Sequence, residues 1–472
     1  MRYPVNPRRM PVPSTPPRAA SDADQIAPPR SAWEVEGADL AQSVAFKMGL
    51  VLIFIRFSII HQLLTSVLHV NLYLLYLFGV PTLVGLALVG GIQRTLRGWP
   101  AIFWALFTVW LFVELPFSSW RGGSAGALNA YVRTDFPMLF VIAGLTLTWR
   151  ECRSMMRAIA CGAVVIMLAA RAFHNEGANY ADRLALNAGA ISNSNDYACH
   201  LLLVLPFVIW VALVAKSKVF RLAAWGVAAY GVLLVVKTAS RGALVALAVG
   251  ALYWLIRGTL RQRIALLAAV PIAVAALVAF VPRSSLIRIV SFSAEESSAS
   301  QEALDSSLMR WYLLRQSIVY TLQHPLFGVG MAQFSTYEGE HNQIVGEHGY
   351  WHEAHNTYTQ VSSECGLPAL ALYIAGIVST FVLVNRVFKR ARGSPEFQEI
   401  RTTAFCILLA LVMYCTAITF VNFAYFFYLP AMASLAIAVS RAAERELNLN
   451  RLPAAPRQLW APQRKPVTPA AR

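Results

Sequence analysis

Apolar runs about twenty residues long recur along this chain, and they constrain its fold more than any other feature. A helix that crosses a bilayer needs about 20 mainly apolar residues, because its backbone polar groups find no water and must pair within the segment. About twelve such runs are present. They centre near Ile53, Leu77, Leu106, Val141, Val165, Leu205, Val227, Ala248, Ala273, Ile377, Ala410 and Ala433. Composition agrees: 57% of residues are hydrophobic and 14% are charged, against about a quarter charged in a soluble domain. A soluble chain cannot hide that much apolar surface, so the expected class is an all-α polytopic membrane protein of about 12 transmembrane helices. The first run carries Lys47, Arg56 and His61 and starts too far along the chain for a signal peptide.

The organisation follows from these runs. Residues 1–41 and 442–472 are rich in Pro, Ser, Ala and Arg. They bury too little apolar area to offset their ordering entropy and are expected to be disordered cytoplasmic tails. Residues 42–282 hold nine spans, 283–365 a large polar loop, and 366–441 the last three spans. With the N-terminus inside and helices alternating, most of the 40 basic residues fall on inside segments, as the positive-inside rule expects. The net charge of +16 is therefore a topology signal and not a nucleic-acid footprint. The outside basic residues are Arg121, Arg133, Arg171, Arg183, Lys237, Arg241, Arg283, Arg288, Arg310 and Arg315. Lys237 and Arg241 sit in a very short turn close to hydrocarbon depth, where a cation needs a carboxylate or an anionic ligand.

Three outside segments carry unusual polar content. Residues 173–196 hold Arg183, Asn193, Asn195 and Asp196. Asn and Asp there suit a helix N-cap, with Arg183 paired to Asp182 or Glu176, or else form the polar mouth of a substrate site. The turn Thr238-Ala239-Ser240-Arg241-Gly242 leaves backbone N–H groups at the start of the next helix, which favours an anion, and Arg adds a bidentate phosphate donor. The third segment, Val281 to Cys365, is far longer than an ordinary connection, and such loops are functional or disordered. Within it Leu308, Trp311, Tyr312, Arg315, Ile318 and Leu322 recur at helical spacing. His324-Pro325 ends that helix, Gly328 and Gly330 turn the chain, and a second helix starts near His355 and runs into the tenth span with a kink at Pro368.

Five of the nine histidines lie in this loop: His324, His341, His348, His352 and His355. His348 and His352 are four apart and could share a helix face toward a metal. The HExxH spacing is absent, because His352-Glu353-Ala354-His355 is one residue short. The competing role is a general base, for which histidine's ordinary pKa of about 6.5 is suited. Cysteine spacing gives neither a disulfide framework nor a metal pattern.

Taken together these residues resemble the O-antigen ligase family, which shares its fold class with O-antigen polymerases and some protein O-oligosaccharyltransferases. The most specific match is His355-Asn356, nine residues, then Gly366. Supporting matches are Arg310-Trp311, the turn His324 to Gly330, Ser240-Arg241-Gly242, and Asn193-Ser194-Asn195-Asp196, where Ser194 replaces a usual Pro. The resemblance covers roughly Arg183 to Pro430.

The resemblance implies a GT-C-like, metal-independent glycosyltransferase of the bacterial inner membrane with no cofactor, both termini cytoplasmic and its active site on the periplasmic loop. Its donor would be a glycan on undecaprenyl diphosphate. Its acceptor would be a hydroxyl of lipid A–core, as in lipopolysaccharide biosynthesis, of a growing polysaccharide, or of a protein. By motif matching His355 takes the general-base position, and Arg241, Arg310 and Arg183 take diphosphate-binding positions, supported by Asn356, Ser240 and Asn195. A polymerase or a protein ligase would share this chemistry and differ in acceptor. A transporter or flippase is the rival of another class. It expects ionisable residues at the midplane of several helices and paired half-helices, whereas mid-span charges here are few.

Overall fold

The computed structural model describes residues 32–172, 183–186, 189–191, 193–268, 298–345, 351–393 and 395–449. Most of both tails, the run near Ala273, the first part of the long loop and His348 lie outside the described residues. The chain divides into two units after Leu40, and the architecture below is that of the described residues from Ala41 onward. The described helices are α1 (Ala32–Ser58), α2 (Ile60–Leu68), α3 (Leu74–Leu88), α4 (Gly91–Leu96), α5 (Trp99–Glu114), α6 (Arg121–Ala130), α7 (Met138–Leu145) and α8 (Trp149–Ala172). They continue with α9 (Ser194–Val214), α10 (Lys218–Lys237), α11 (Arg241–Arg257), α12 (Ser298–Gln323), α13 (Phe334–Val345), α14 (Thr357–Arg390), α15 (Gln398–Ala417) and α16 (Tyr428–Leu449).

The protein is an all-α polytopic membrane protein. Among the described residues seven helical segments are long and apolar enough to cross a bilayer: Leu40–Ser58, Trp99–Phe117, Trp149–Ala172, Ser194–Val214, Lys218–Lys237, Thr357–Arg390 and Gln398–Ala417. Other apolar runs take different forms for local reasons. The run near Leu77 is the 15-residue α3, with Pro81 inside it. The run near Val141 is broken by a π-helical turn at Tyr131–Asp135, which leaves only the 8-residue α7. The run near Ala248 is the 17-residue α11. The run near Ala433 is α16, which is almost wholly buried along its first half and charged in its last turns.

The core is centred on α9, whose residues from Tyr197 to Phe207 are buried without interruption. Aromatic side chains join the layers around it. Trp104 of α5 meets Tyr373 of α14 edge to face at 5.1 Å. In α9, His200 Nδ1 lies 2.8 Å from the Tyr428 hydroxyl. Arg56 in the first span carries a charge that hydrocarbon would penalise. It is met by Asp135 of the π-helical turn at 2.6 Å and stacks 4.0 Å over the Phe427 ring. The short α7 ends in a row of carbonyls that helix geometry leaves open, and basic residues satisfy them. Arg94 bonds the Gly144 carbonyl, Arg441 those of Ala143 and Thr146, and Arg445 that of Leu147. Several arginines that serve as orientation signals in the sequence thus also close a helix end.

The long loop is helical where described. α12 stops at Gln323 ahead of His324-Pro325. A further helix, α13, follows the glycine turn, in a stretch for which the sequence reading expects no helix. The helix into the tenth span starts at Thr357, and its kink lies at Gly366 (φ 82°, ψ 174°) rather than at Pro368. A proline disfavours helical geometry in the chain just before it, and glycine is the residue that absorbs the break.

Candidate active site

Four segments converge at one end of the bundle. The first is the approach to α9. Asn193 caps that helix, its Oδ1 accepting from Asn195 N at 2.9 Å. The second is the α10–α11 turn, where Ala239 adopts a left-handed backbone (φ 48°) and the Ser240 Oγ caps α11 by accepting from Ala243 N at 3.4 Å. Arg183 binds these two together. Its Nε donates to the Thr238 carbonyl and its Nη2 to Asn195 Oδ1, both at 3.0 Å. Leu184 N adds a bond to the Lys237 carbonyl at 3.0 Å. Arg183 is therefore bound to a backbone carbonyl and a side-chain amide, and the expected partners Asp182 and Glu176 lie outside the described residues.

The third segment is α12. Arg241 Nη1 reaches across to the Ser307 hydroxyl at 3.4 Å, three residues before Arg310. The charge of Arg310 acts on two groups from other segments, Asp196 on the first turn of α9 and His355. One cation on α12 therefore sits within electrostatic reach of both the α9 start and the loop histidine, and a second cation is hydrogen-bonded to the same helix.

The fourth segment is the head of α14. Asn356 caps it, its Oδ1 accepting from Tyr358 N at 3.0 Å and Thr359 N at 3.2 Å, so that oxygen is engaged in helix initiation. Thr357 pins the helix start to the chain before α16: its N donates to the Ile418 carbonyl at 2.9 Å, and its Oγ1 donates to the Val421 carbonyl at 2.8 Å. His355 sits just ahead of this anchor with a left-handed backbone (φ 50°), a conformation uncommon outside glycine and concentrated at functional positions. Burial pushes its imidazole down to about 4, helped by the Arg310 guanidinium and by His352. The ring is neutral near pH 7, with a lone pair available to take a proton.

Next to the head of α14 lie acidic residues that sequence reading missed. Glu353 is half-buried and hydrogen-bonded to Asn422; burial holds its carboxyl above the usual carboxylate range. Its charge also acts on Glu364 of α14, which is fully buried. Glu364 accepts from the Tyr425 hydroxyl at 2.6 Å, Ala332 N at 3.1 Å and Phe334 N at 3.3 Å. Glu114 of α5 accepts from Met331 N at 3.2 Å. Two carboxylates from two spans thus hold the turn that follows α12. That turn fits closely against the α14 kink: a Cβ on Gly366 would collide with the Leu326 carbonyl, and one on Gly328 with the Glu364 carbonyl. No periodicity announces these carboxylates, because each lies singly within an apolar or irregular stretch. A lone charged residue inside an apolar run was the available signal.

His341 and His324 take packing roles. His341 stacks on Tyr337 at 5.7 Å, and His324 Nε2 meets the Tyr337 hydroxyl at 3.0 Å. Among the described residues no three of His, Cys, Asp and Glu gather where they could hold a metal ion.

Fold and site thus define a polytopic helical membrane protein with a cationic, histidine-bearing cluster at one end of its bundle. Residues 226–374 match the model of the family described as O-antigen ligase. That segment, about a third of the chain, is similar to the O-antigen ligase family. The matched segment contains Arg241, Arg310, His355 and Gly366, while Arg183 and Asn195 precede it. No curated protein matches the chain.

Proposed function

We propose that this chain transfers a glycan from undecaprenyl diphosphate to an acceptor hydroxyl on the periplasmic face of the inner membrane, in the manner of an O-antigen ligase acting on lipid A–core. The observation that carries the reading is the meeting of His355, neutral and held at the head of α14, with the Arg310 charge, and the bond from Arg241 to the same helix. In the reaction the acceptor oxygen attacks the anomeric carbon, and its bond to that carbon forms as the bond from carbon to diphosphate oxygen breaks. The acceptor proton passes to His355, and the electron pair leaves with the diphosphate. Direct attack inverts the anomeric centre.

Negative charge grows on the leaving diphosphate in the transition state. Arg241 and Arg310 are the fixed cations that meet it, a kind of contact whose loss costs roughly 3–4 kcal/mol. The two roles are coupled. In the free protein Arg310 depresses the basicity of His355. A diphosphate bound at Arg310 offsets that field, so the donor raises the pKa of the base that completes the reaction, toward the range where proton transfer near pH 7 is efficient. Arg183 acts one step back by holding the α10–α11 turn that presents Arg241.

The test is transfer from lipid-linked donor by full-length protein in vesicles. His355→Ala is expected to lose about 10²–10⁴-fold while inserting into the membrane as the parent does; transfer at the parent's level would remove the general-base role. The acceptor is read by deleting the gene. Loss of the long-chain lipopolysaccharide ladder supports the lipid A–core ligase, whereas a missing exopolysaccharide or a glycoprotein mass shift assigns the polymerase or the protein ligase instead.

A further inference from the structure

The helical stripe in the long loop does not face the core. Leu313, Ser317, Tyr320 and Thr321 point inward on α12, while Leu308 (59% exposed), Trp311 (68%), Ile318 (47%) and Leu322 (72%) point outward. Arg315, also exposed, lies among them. Large apolar side chains in a row on an outer face mark a surface that something covers.

Both ends of this face are tied to helices of the bundle. Near its start Ser307 is bonded to Arg241, the first residue of α11. Just past its end the Pro325 carbonyl accepts from Leu367 N at 2.8 Å, where α14 begins its straight run after the kink. Between them Ser307 to Gln323 spans about 24 Å of helix. A helix held at both ends in this way lies against the bundle and does not stand away from it. Exposed apolar surface also continues past the end of its outer face. Leu326 (60%) and Leu367 (46%) are exposed beside the junction, and Phe327 stacks on Phe117 at 3.9 Å, at the end of the span Trp99–Phe117.

We infer that the outward face of α12 docks on the phospholipid surface of the bilayer, as an interfacial helix at the side where α11 and α14 begin. A tryptophan suits headgroup level, and an arginine within an apolar stripe buries its stem while its guanidinium reaches lipid phosphate. That arginine also argues against a dry interface with a second copy, which would have to bury Arg315. The docking sets the depth of Arg310, next to Trp311, at the level of lipid phosphates. This consequence for Arg310 rests on the glycan-transfer reading; the docking itself does not.

The experiment uses the full chain, with exposed Cys161 replaced by serine, in phosphatidylethanolamine–phosphatidylglycerol vesicles. Spin labels are placed singly by Trp311→Cys, Ile318→Cys and Leu322→Cys, with Glu340→Cys on α13 as an exposed control. Collision with oxygen, which concentrates in lipid, is compared with collision with a water-soluble nickel chelate. Oxygen is expected to dominate at 311, 318 and 322, and the nickel chelate at 340. Nickel-dominated collision at the three stripe positions would overturn the inference. So would protection from both reagents, which, with spin–spin broadening, would assign the face to a second copy. Neither readout involves glycan transfer, so failure here leaves the reading of the site to its own test.

Discussion

Removing the charge of Arg310 tests the coupling between donor and base. In the free protein His355 lies at about 4 instead of 6.5, with burial the largest cause, Arg310 the second and His352 the third. Arg310 therefore accounts for less than half of the fall, at most about 1.2 pH units or ~1.6 kcal/mol. The base works only when neutral, so activity rises with pH through its pKa. The profile of kcat/KM reports the free enzyme and that of kcat the donor complex. For the parent, the acidic limb of kcat/KM is expected near pH 4 and that of kcat higher by up to about one pH unit. In Arg310→Gln the kcat/KM limb moves up by that amount and the gap between the two limbs closes, while the rate itself falls. Arg310→Lys keeps the charge but lacks the planar fork. Its limbs stay with the parent's, and only donor affinity drops. The assay is initial-rate transfer in vesicles from pH 3.5 to 8 with a fixed set of buffers. An acidic limb that stays in place in Arg310→Gln would show that Arg310 does not face the titrating group, or that the group is not His355.

Other expectations concern the rest of the cluster. Arg241→Ala should lower transfer about 10²–10³-fold and weaken binding of the lipid-linked donor, measured by retention of labelled donor on the reconstituted protein; unchanged binding counts against its role. Gly366→Ala places a Cβ against the Leu326 carbonyl at a positive φ, a strain of about 1–3 kcal/mol, and should lower the midpoint of thermal unfolding in detergent, so an unchanged midpoint would refute the close packing. Transfer is expected to survive exhaustive chelation, because arginines and not a cation carry the charge stabilisation in the proposed mechanism; loss of activity restored by a divalent metal would reverse that assignment.

The sequence by itself determined the class, the outline and one helix cap. Hydrocarbon length and backbone satisfaction act on local composition, so the spans and the helix in the loop are readable from runs and spacing alone. The cap at Asn193 is legible for the same reason, being a short-range bond between a side chain and N–H groups two or three residues on, whereas Ser240 and Asn356, read as site residues, prove to cap α11 and α14. What only the tertiary structure decided is which faces meet. The stripe Leu308, Trp311, Ile318 and Leu322 has the same periodicity whether it turns toward protein or lipid, and here it turns outward, because Leu313 and Tyr320 take the inward side. Glu114 and Glu364 are 250 residues apart (by their numbers) and find one turn between them. Arg241 of α11 and Arg310 of α12 carry no mark in sequence that brings the first against the helix of the second. The long-range bond from Arg241 to Ser307, and the field of Arg310 at His355, depend on how spans pack side by side, which local spacing does not encode.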